Sequence, residues 1–188
     1  PRSSRRNSKP GKEFRGVTIR RPAASCRTSS PRFTSSNSTT ITPNIPEELV
    51  TLCLDRDELG AHNLLDSLSG AEAMAISYAA SKLAIARYVR LNAPQNQWAA
   101  SGIRLNGICP GAVMTPLLES SLQDPNFGPA VKQLPLPVGG FGSPSLIAEW
   151  IAMMLSPSAD FMCGSLVFVD GGSDALIRPN DWPKSLSI

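Results

Sequence analysis

The chain has 188 residues, 41% of them hydrophobic and 18% charged, which is enough apolar material for one domain with a real core. No apolar run is long enough to span a bilayer, and no apolar segment of the signal type stands at the N-terminus. The single histidine, His62, excludes a histidine-based triad and a multi-His metal centre. Cys26, Cys53, Cys109 and Cys163 contain no Cys-x-x-Cys pair, which argues against zinc.

The net charge of +3 hides an asymmetry. Residues 1–40 hold ten Lys and Arg against the one acid Glu13, and the remainder holds eight basic against fourteen acidic residues. A basic Ser/Arg-rich head has the charge of a nucleic-acid binder or of an organelle transit peptide. It lacks aromatic residues interleaved for base stacking, so residues 1–32 are read as a basic disordered leader, with no nucleic acid as partner. The chain starts at Pro1 and its first methionine is Met74. It therefore reads as a fragment, or as a truncated or misassembled gene product.

Residues 33–42 read as a strand end running into a loop. Pro43 and Pro46 break the chain, and Pro46 with Glu47 and Glu48 opens a helix. Leu64, Leu65 and Leu68 at helical spacing predict a second helix over about 61–68. A third helix is predicted from about Ile76 to Asn92, closed by Pro94. Ile103, Leu105 and Ile108 mark a strand that turns at Pro110-Gly111. Residues 117–134 predict small lid-like helices broken at Pro125. Ser143 is a good N-cap and Pro144 a good first residue for a helix reaching Leu155. Leu166–Val169 is a short apolar run, as expected of a buried strand in a parallel sheet. Cys109 and Cys163, in apolar strand-like surroundings, are expected to be inert core thiols. His62 is expected on a helix surface.

The chemistry concentrates in the run Ile76-Ser-Tyr-Ala-Ala-Ser-Lys82. Tyr78 and Lys82, four apart, share a helix face. A lysine held positive near a phenol stabilises the phenolate, which suits the tyrosine to proton transfer. Two further motifs follow in order: Asn106-x-x-x-Pro110-Gly111 after the strand, and Asp170-Gly171-Gly172 after the last strand. Asn106 is read as fixing backbone geometry, and Asp170-Gly171-Gly172 as a structural signature with no catalytic role.

Over about residues 33–183, this series resembles the C-terminal half of a short-chain dehydrogenase/reductase. The stretch Pro116-Leu-Leu-Glu-Ser-Ser-Leu-Gln-Asp-Pro-Asn-Phe-Gly128 and the ending Asp174-Ala-Leu-Ile-Arg-Pro179 resemble its bacterial 3-alpha-hydroxysteroid dehydrogenase/carbonyl reductase branch. The resemblance implies an α/β fold, an incomplete doubly wound, Rossmann-like parallel sheet lacking its first strands, with residues 33–188 as the catalytic half. It implies NAD or NADP as cofactor and a small alcohol or ketone as substrate. It also implies a homo-oligomeric parent, with no membrane partner and a cytoplasmic setting.

By the same resemblance Tyr78 is the general acid/base, and Lys82 assists it and holds the nicotinamide ribose. Ser36, the second serine of Ser35-Ser36, hydrogen-bonds the substrate oxygen. Residues 44–75 then look like an insertion between Ser36 and Tyr78. Pro110 and Gly111 admit the nicotinamide, Val113 offers its N–H and Thr115 its hydroxyl to the carboxamide, and no metal takes part. Leu117, Leu118 and Leu122 line the substrate entrance. The family's Gly-x-x-x-Gly-x-Gly turn and its Asn-Asn-Ala-Gly element are missing upstream of Ser36, so activity is expected to be impaired in this chain. The alternative is a non-catalytic remnant that retains only subunit-association surfaces.

Overall fold

The computed structural model describes residues 30–35, 44–125 and 128–181. Three parallel strands form one sheet in the order β1-β2-β3: β1 Ser30–Ser35, β2 Ile103–Pro110 and β3 Leu166–Val169. β1 and β2 pair from Ser30 with Ile103 to Ser35 with Ile108, and β2 and β3 from Gly107 with Leu166 to Pro110 with Val169. The sheet is thus the parallel α/β type expected. β1 begins at Ser30, three residues before the expected boundary at residue 33.

The first crossover carries α1 Glu47–Asp55, α2 Glu58–Leu65 and α3 Gly70–Asn92. Pro46 is the N-cap of α1, and the backbone turns left-handed at Arg56 to end it. Asp57 caps α2 through the N–H of Gly60. This side-chain cap starts α2 three residues before the leucine spacing had indicated. α3 also starts earlier than expected, at Gly70 rather than Ile76. Residues 71–75, Ala-Glu-Ala-Met-Ala, are strong helix formers and extend it without interruption.

α3 has two apolar stripes. Ile76, Ala80 and Ala84 are buried against Leu49 and Val50 of α1, with Leu64 and Leu65 of α2 at the margin. Ala80 and Ala84, one helical turn apart, let the helices approach closely. A bidentate pair from Arg87 of α3 to Glu47 of α1 clasps the rim of this contact. Farther along, Val89 and Ala93 are buried on Leu105 of β2, with Tyr88, Trp98 and Leu166 around them.

β2 is the centre of the sheet, and Leu105 through Cys109 are all buried. Successive side chains point to opposite faces, so both faces are covered. Asn106 is 1% exposed and fully used: its Nδ2 donates to Met162 O at 2.9 Å, and its Oδ1 accepts from Ser165 N at 3.0 Å. It fixes the turn that leads into β3.

The second crossover carries α4 Pro116–Gln123, α5 Gly128–Lys132 and α6 Pro144–Met154. The expected break near Pro125 separates α4 from α5. Ser143 caps α6 through Leu146 N, with Pro144 first. α7, Ser173–Ile177, follows β3. Two burial expectations are corrected. β3 is only part-buried, with Phe168 38% exposed, because it lies at one edge of the described sheet. Cys163 is exposed and not a core thiol: it stands in the turn before β3, where its Sγ donates to Ala93 O at 3.3 Å. Cys109 is buried and His62 is on the surface, as expected.

Candidate active site

A parallel sheet presents the carboxyl ends of its strands along one edge, where the crossovers leave a crevice. Here that edge is formed by Ser35, Pro110 and Val169, which end the three strands. Of the residues singled out in the sequence, Pro110 ends β2 on this edge and Gly111 follows it.

Tyr78 and Lys82 are carried by α3. Val89 packs on Leu105. Tyr78 is eleven residues earlier, about three helical turns, so it lies on the same side of α3 as Val89, roughly 16 Å nearer the N-terminus. From Leu105 to Pro110 the strand also advances roughly 16 Å. Residues 93–102 join α3 to β2. The Ile76-Ala80-Ala84 stripe that holds α1 and α2 lies roughly on the opposite side of the helix. α1 and α2 therefore pack on α3 away from its Tyr78 side.

Tyr78 is 47% exposed, and the Lys82 Nζ sits 5.4 Å from the centroid of its ring. This is cation–π range. The hydroxyl of Ser81, between them, donates to the carbonyl of Tyr78 at 2.7 Å and so belongs to the helix.

The second and third motifs meet directly. Pro110 pairs with Val169, and Gly111 N donates to Val169 O at 3.0 Å. A Cβ on Gly111 would stand 2.6 Å from Asp170 Cα, 2.7 Å from its O and 2.9 Å from its C. The space that the missing side chain opens is thus taken by the Asp170 backbone. Glycine here lets the backbone of the turn after β3 come close.

Val113 forms a single parallel bridge with Gly142. Gly142 N donates to Ala112 O at 3.0 Å, and Met114 N donates to Gly142 O at 2.8 Å. In a parallel bridge of this pattern, the groups on either side of Val113 make the bonds, and the N–H of Val113 itself points to the opposite side. Thr115 is the N-cap of α4: its Oγ1 accepts from Leu118 N at 3.3 Å. A hydroxyl that accepts still has its proton to give. Leu117 is 78% exposed at the start of α4.

Ser36 lies outside the described residues, next after the end of β1. Sequence reasoning missed Ser173. Its hydroxyl reaches Pro135 O at 2.5 Å and Asp170 O at 2.9 Å. The only local signal was a serine following Asp-Gly-Gly, and the partner is far away in the chain. Among the described residues no group of three or more His, Cys, Asp or Glu side chains gathers to hold a metal ion, and no helix is long and apolar enough to cross a membrane.

The architecture is a parallel α/β sheet, with a Tyr/Lys pair on the helix that leads to its central strand. Residues 61–174 match the family model described as enoyl-(acyl carrier protein) reductase. The chain belongs to the short-chain dehydrogenase/reductase family. It is 36% identical over 133 residues to the 3-alpha-hydroxysteroid dehydrogenase/carbonyl reductase of Comamonas testosteroni, covering 71% of this chain and 51% of that protein. It is 37% identical over 119 residues to the cis-4-hydroxycyclohexanecarboxylate dehydrogenase of Sinomonas cyclohexanicum, covering 62% of this chain and 46% of that protein. The solved 3-alpha-hydroxysteroid dehydrogenase of Pseudomonas sp. B-0831, complexed with NADH, matches with a TM-score of 0.70 at 37% identity, over 80% of this chain and 57% of that one. The chain spans about half the length of the curated relatives it matches.

Proposed function

We propose that the chain is the catalytic half of an NAD(P)-dependent oxidoreductase that interconverts a secondary alcohol and a ketone. The observation that supports this reading is the pairing of Tyr78 and Lys82 on one face of α3, with the Lys82 Nζ 5.4 Å from the centroid of the Tyr78 ring. The named relatives act on hydroxysteroids and a hydroxycyclohexanecarboxylate, and the solved relative was complexed with NADH. An alicyclic alcohol or ketone is therefore the substrate class, and NAD or NADP the cofactor.

The residues fit the nicotinamide end of such a cofactor. Val113 turns its N–H away from Gly142, and Thr115 keeps a hydroxyl proton to donate, so both suit the carboxamide. Lys82 suits the ribose hydroxyls. The cofactor, when bound, supplies or accepts the hydride. In the reducing direction Tyr78 gives its phenolic proton to the substrate oxygen as that oxygen gains negative charge. Lys82 stabilises the phenolate left behind. In the oxidising direction Tyr78 takes the proton back from the hydroxyl. Ser36 orients the substrate oxygen by hydrogen bonding. Leu117, Leu118 and Leu122 cover the substrate, which expels water from the exposed side of Tyr78.

Low nucleotide affinity belongs to the same proposal, because the glycine-rich turn that seats a pyrophosphate is not in this sequence. The parent is read as a cytoplasmic homo-oligomer. A second reading, a remnant kept for subunit association, is favoured by the apolar exposure on α6, where Leu146, Trp150 and Met153 face outward. Titration with NADH and NADPH, followed by cofactor fluorescence, separates the two. Saturable binding supports the enzyme reading. Tyr78→Phe should then lower ketone reduction by about 10²-fold or more while binding persists. Absence of binding to either cofactor favours the remnant.

A further inference from the structure

The segment 134–142 joins the lid helices to α6 and runs across the Asp170-Gly171-Gly172 turn. Within it one backbone bond closes a turn, from Gly139 N to Leu136 O at 2.8 Å. Pro135 and Pro137 have no N–H. Gly139 and Gly140 adopt φ of 80° and 73°, with open space where a Cβ would be. The segment is nevertheless tied at both ends. At the far end Gly142 bridges Val113, as described above. At the near end Val138 N donates to Gly171 O at 3.2 Å, and the Pro137 ring lies 3.3 Å from where a Cβ on Gly172 would stand.

The remaining tie at the near end is the Ser173 hydroxyl, 2.5 Å from Pro135 O and 2.9 Å from Asp170 O. A hydroxyl has one proton, so the two carbonyls share it, with the shorter contact to Pro135. Ser173 is itself placed by the Asp170 carboxylate, which accepts from Gly172 N at 2.9 Å and from Asp174 N at 2.7 Å. Asp174 in turn accepts from Arg178 Nε at 2.6 Å.

We propose that Ser173 is a positioning residue. By tying Pro135 to the Asp-Gly-Gly turn it holds the 134–142 strap, and through Gly142 the strap fixes where Val113 and Thr115 stand. This rests on the reading of residues 110–115 as the cofactor edge. The Asp-Gly-Gly signature then has a function beyond packing: it couples the exit of the lid to the carboxamide side of the site.

The test is amide hydrogen exchange on the 188-residue chain, without cofactor. Ser173→Ala should speed exchange at Val138 and Met114 by about tenfold, roughly the worth of one hydrogen bond. The amides of Gly107 and Gly164, which bond to Ser165 O and Leu105 O, should exchange as before. Ser173→Thr, which keeps the hydroxyl, should restore protection at Val138 and Met114. Unchanged exchange at Val138 and Met114 in Ser173→Ala would overturn the proposal. So would acceleration spread equally to Gly107 and Gly164, which would mark general destabilisation. Since no cofactor is used, failure of cofactor binding and failure of this coupling are separate results.

Discussion

At the scale of single residues, Gly111 is set by space rather than by conformation or charge. Gly111 has no left-handed φ to require glycine, yet a Cβ there would collide with backbone, which cannot rotate away. Gly111→Ala should cost about 1–3 kcal/mol, the range for overpacking a filled site. Gly70→Ala, with open space at the first residue of α3, should be neutral or stabilising. Paired melting curves of the two variants check this, and equal effects would refute it. The cysteines give a second graded test. Cys163 is exposed, Cys53 is half-buried with its thiol pushed up by burial, and Cys109 is buried. The thiolate is the reactive form, so iodoacetamide at pH 8 should label Cys163 first, Cys53 more slowly and Cys109 only on unfolding. Peptide mass spectrometry reads the order directly.

At the scale of elements, the Tyr78 helix shows what sequence does and does not carry. That Tyr78 and Lys82 share a face follows from spacing alone. The start of α3 at Gly70 was hidden because residues 70–75 resemble loop-flanking sequence on their small size and the glycine, while their helix propensity is high. The N-cap of α6 was legible, because Ser143 and Pro144 act locally. The exposure of Cys163 was not, because its apolar neighbours in sequence belong to a turn. The partners of Gly111 and Ser173 were illegible for a related reason: each contact joins segments far apart in the chain.

The α1–α3 clasp makes a pH prediction at this same scale. The hydrogen-bonded Arg87 guanidinium holds the Glu47 carboxyl below its ordinary value of 4.5, with a smaller opposing effect of burial. A depressed carboxyl contributes stability that is present above the ordinary value and is lost as pH falls through the lower folded value. The Tm difference between the native chain and Glu47→Gln should therefore be positive at neutral pH. It should shrink below about pH 4.5 and vanish in stronger acid. A difference independent of pH would contradict the clasp.

At the scale of the whole molecule, the parallel sheet brings distant motifs to one edge. α1, with Leu49 and Val50 buried, packs on the Ile76-Ala80-Ala84 side of α3, away from Tyr78. The proposed nicotinamide end comprises Tyr78, Lys82, Val113 and Thr115, while this sequence carries no glycine-rich turn for the pyrophosphate. Reduced nicotinamide mononucleotide, which lacks the adenylate half, isolates the part of the site that is present. The measurement is an amide-shift titration of the chain with this ligand and, separately, with AMP. The account predicts saturable shifts at Val113, Met114 and Thr115 with the nicotinamide mononucleotide and none there with AMP. Shifts confined to other parts of the chain, or the same response to AMP, would contradict it.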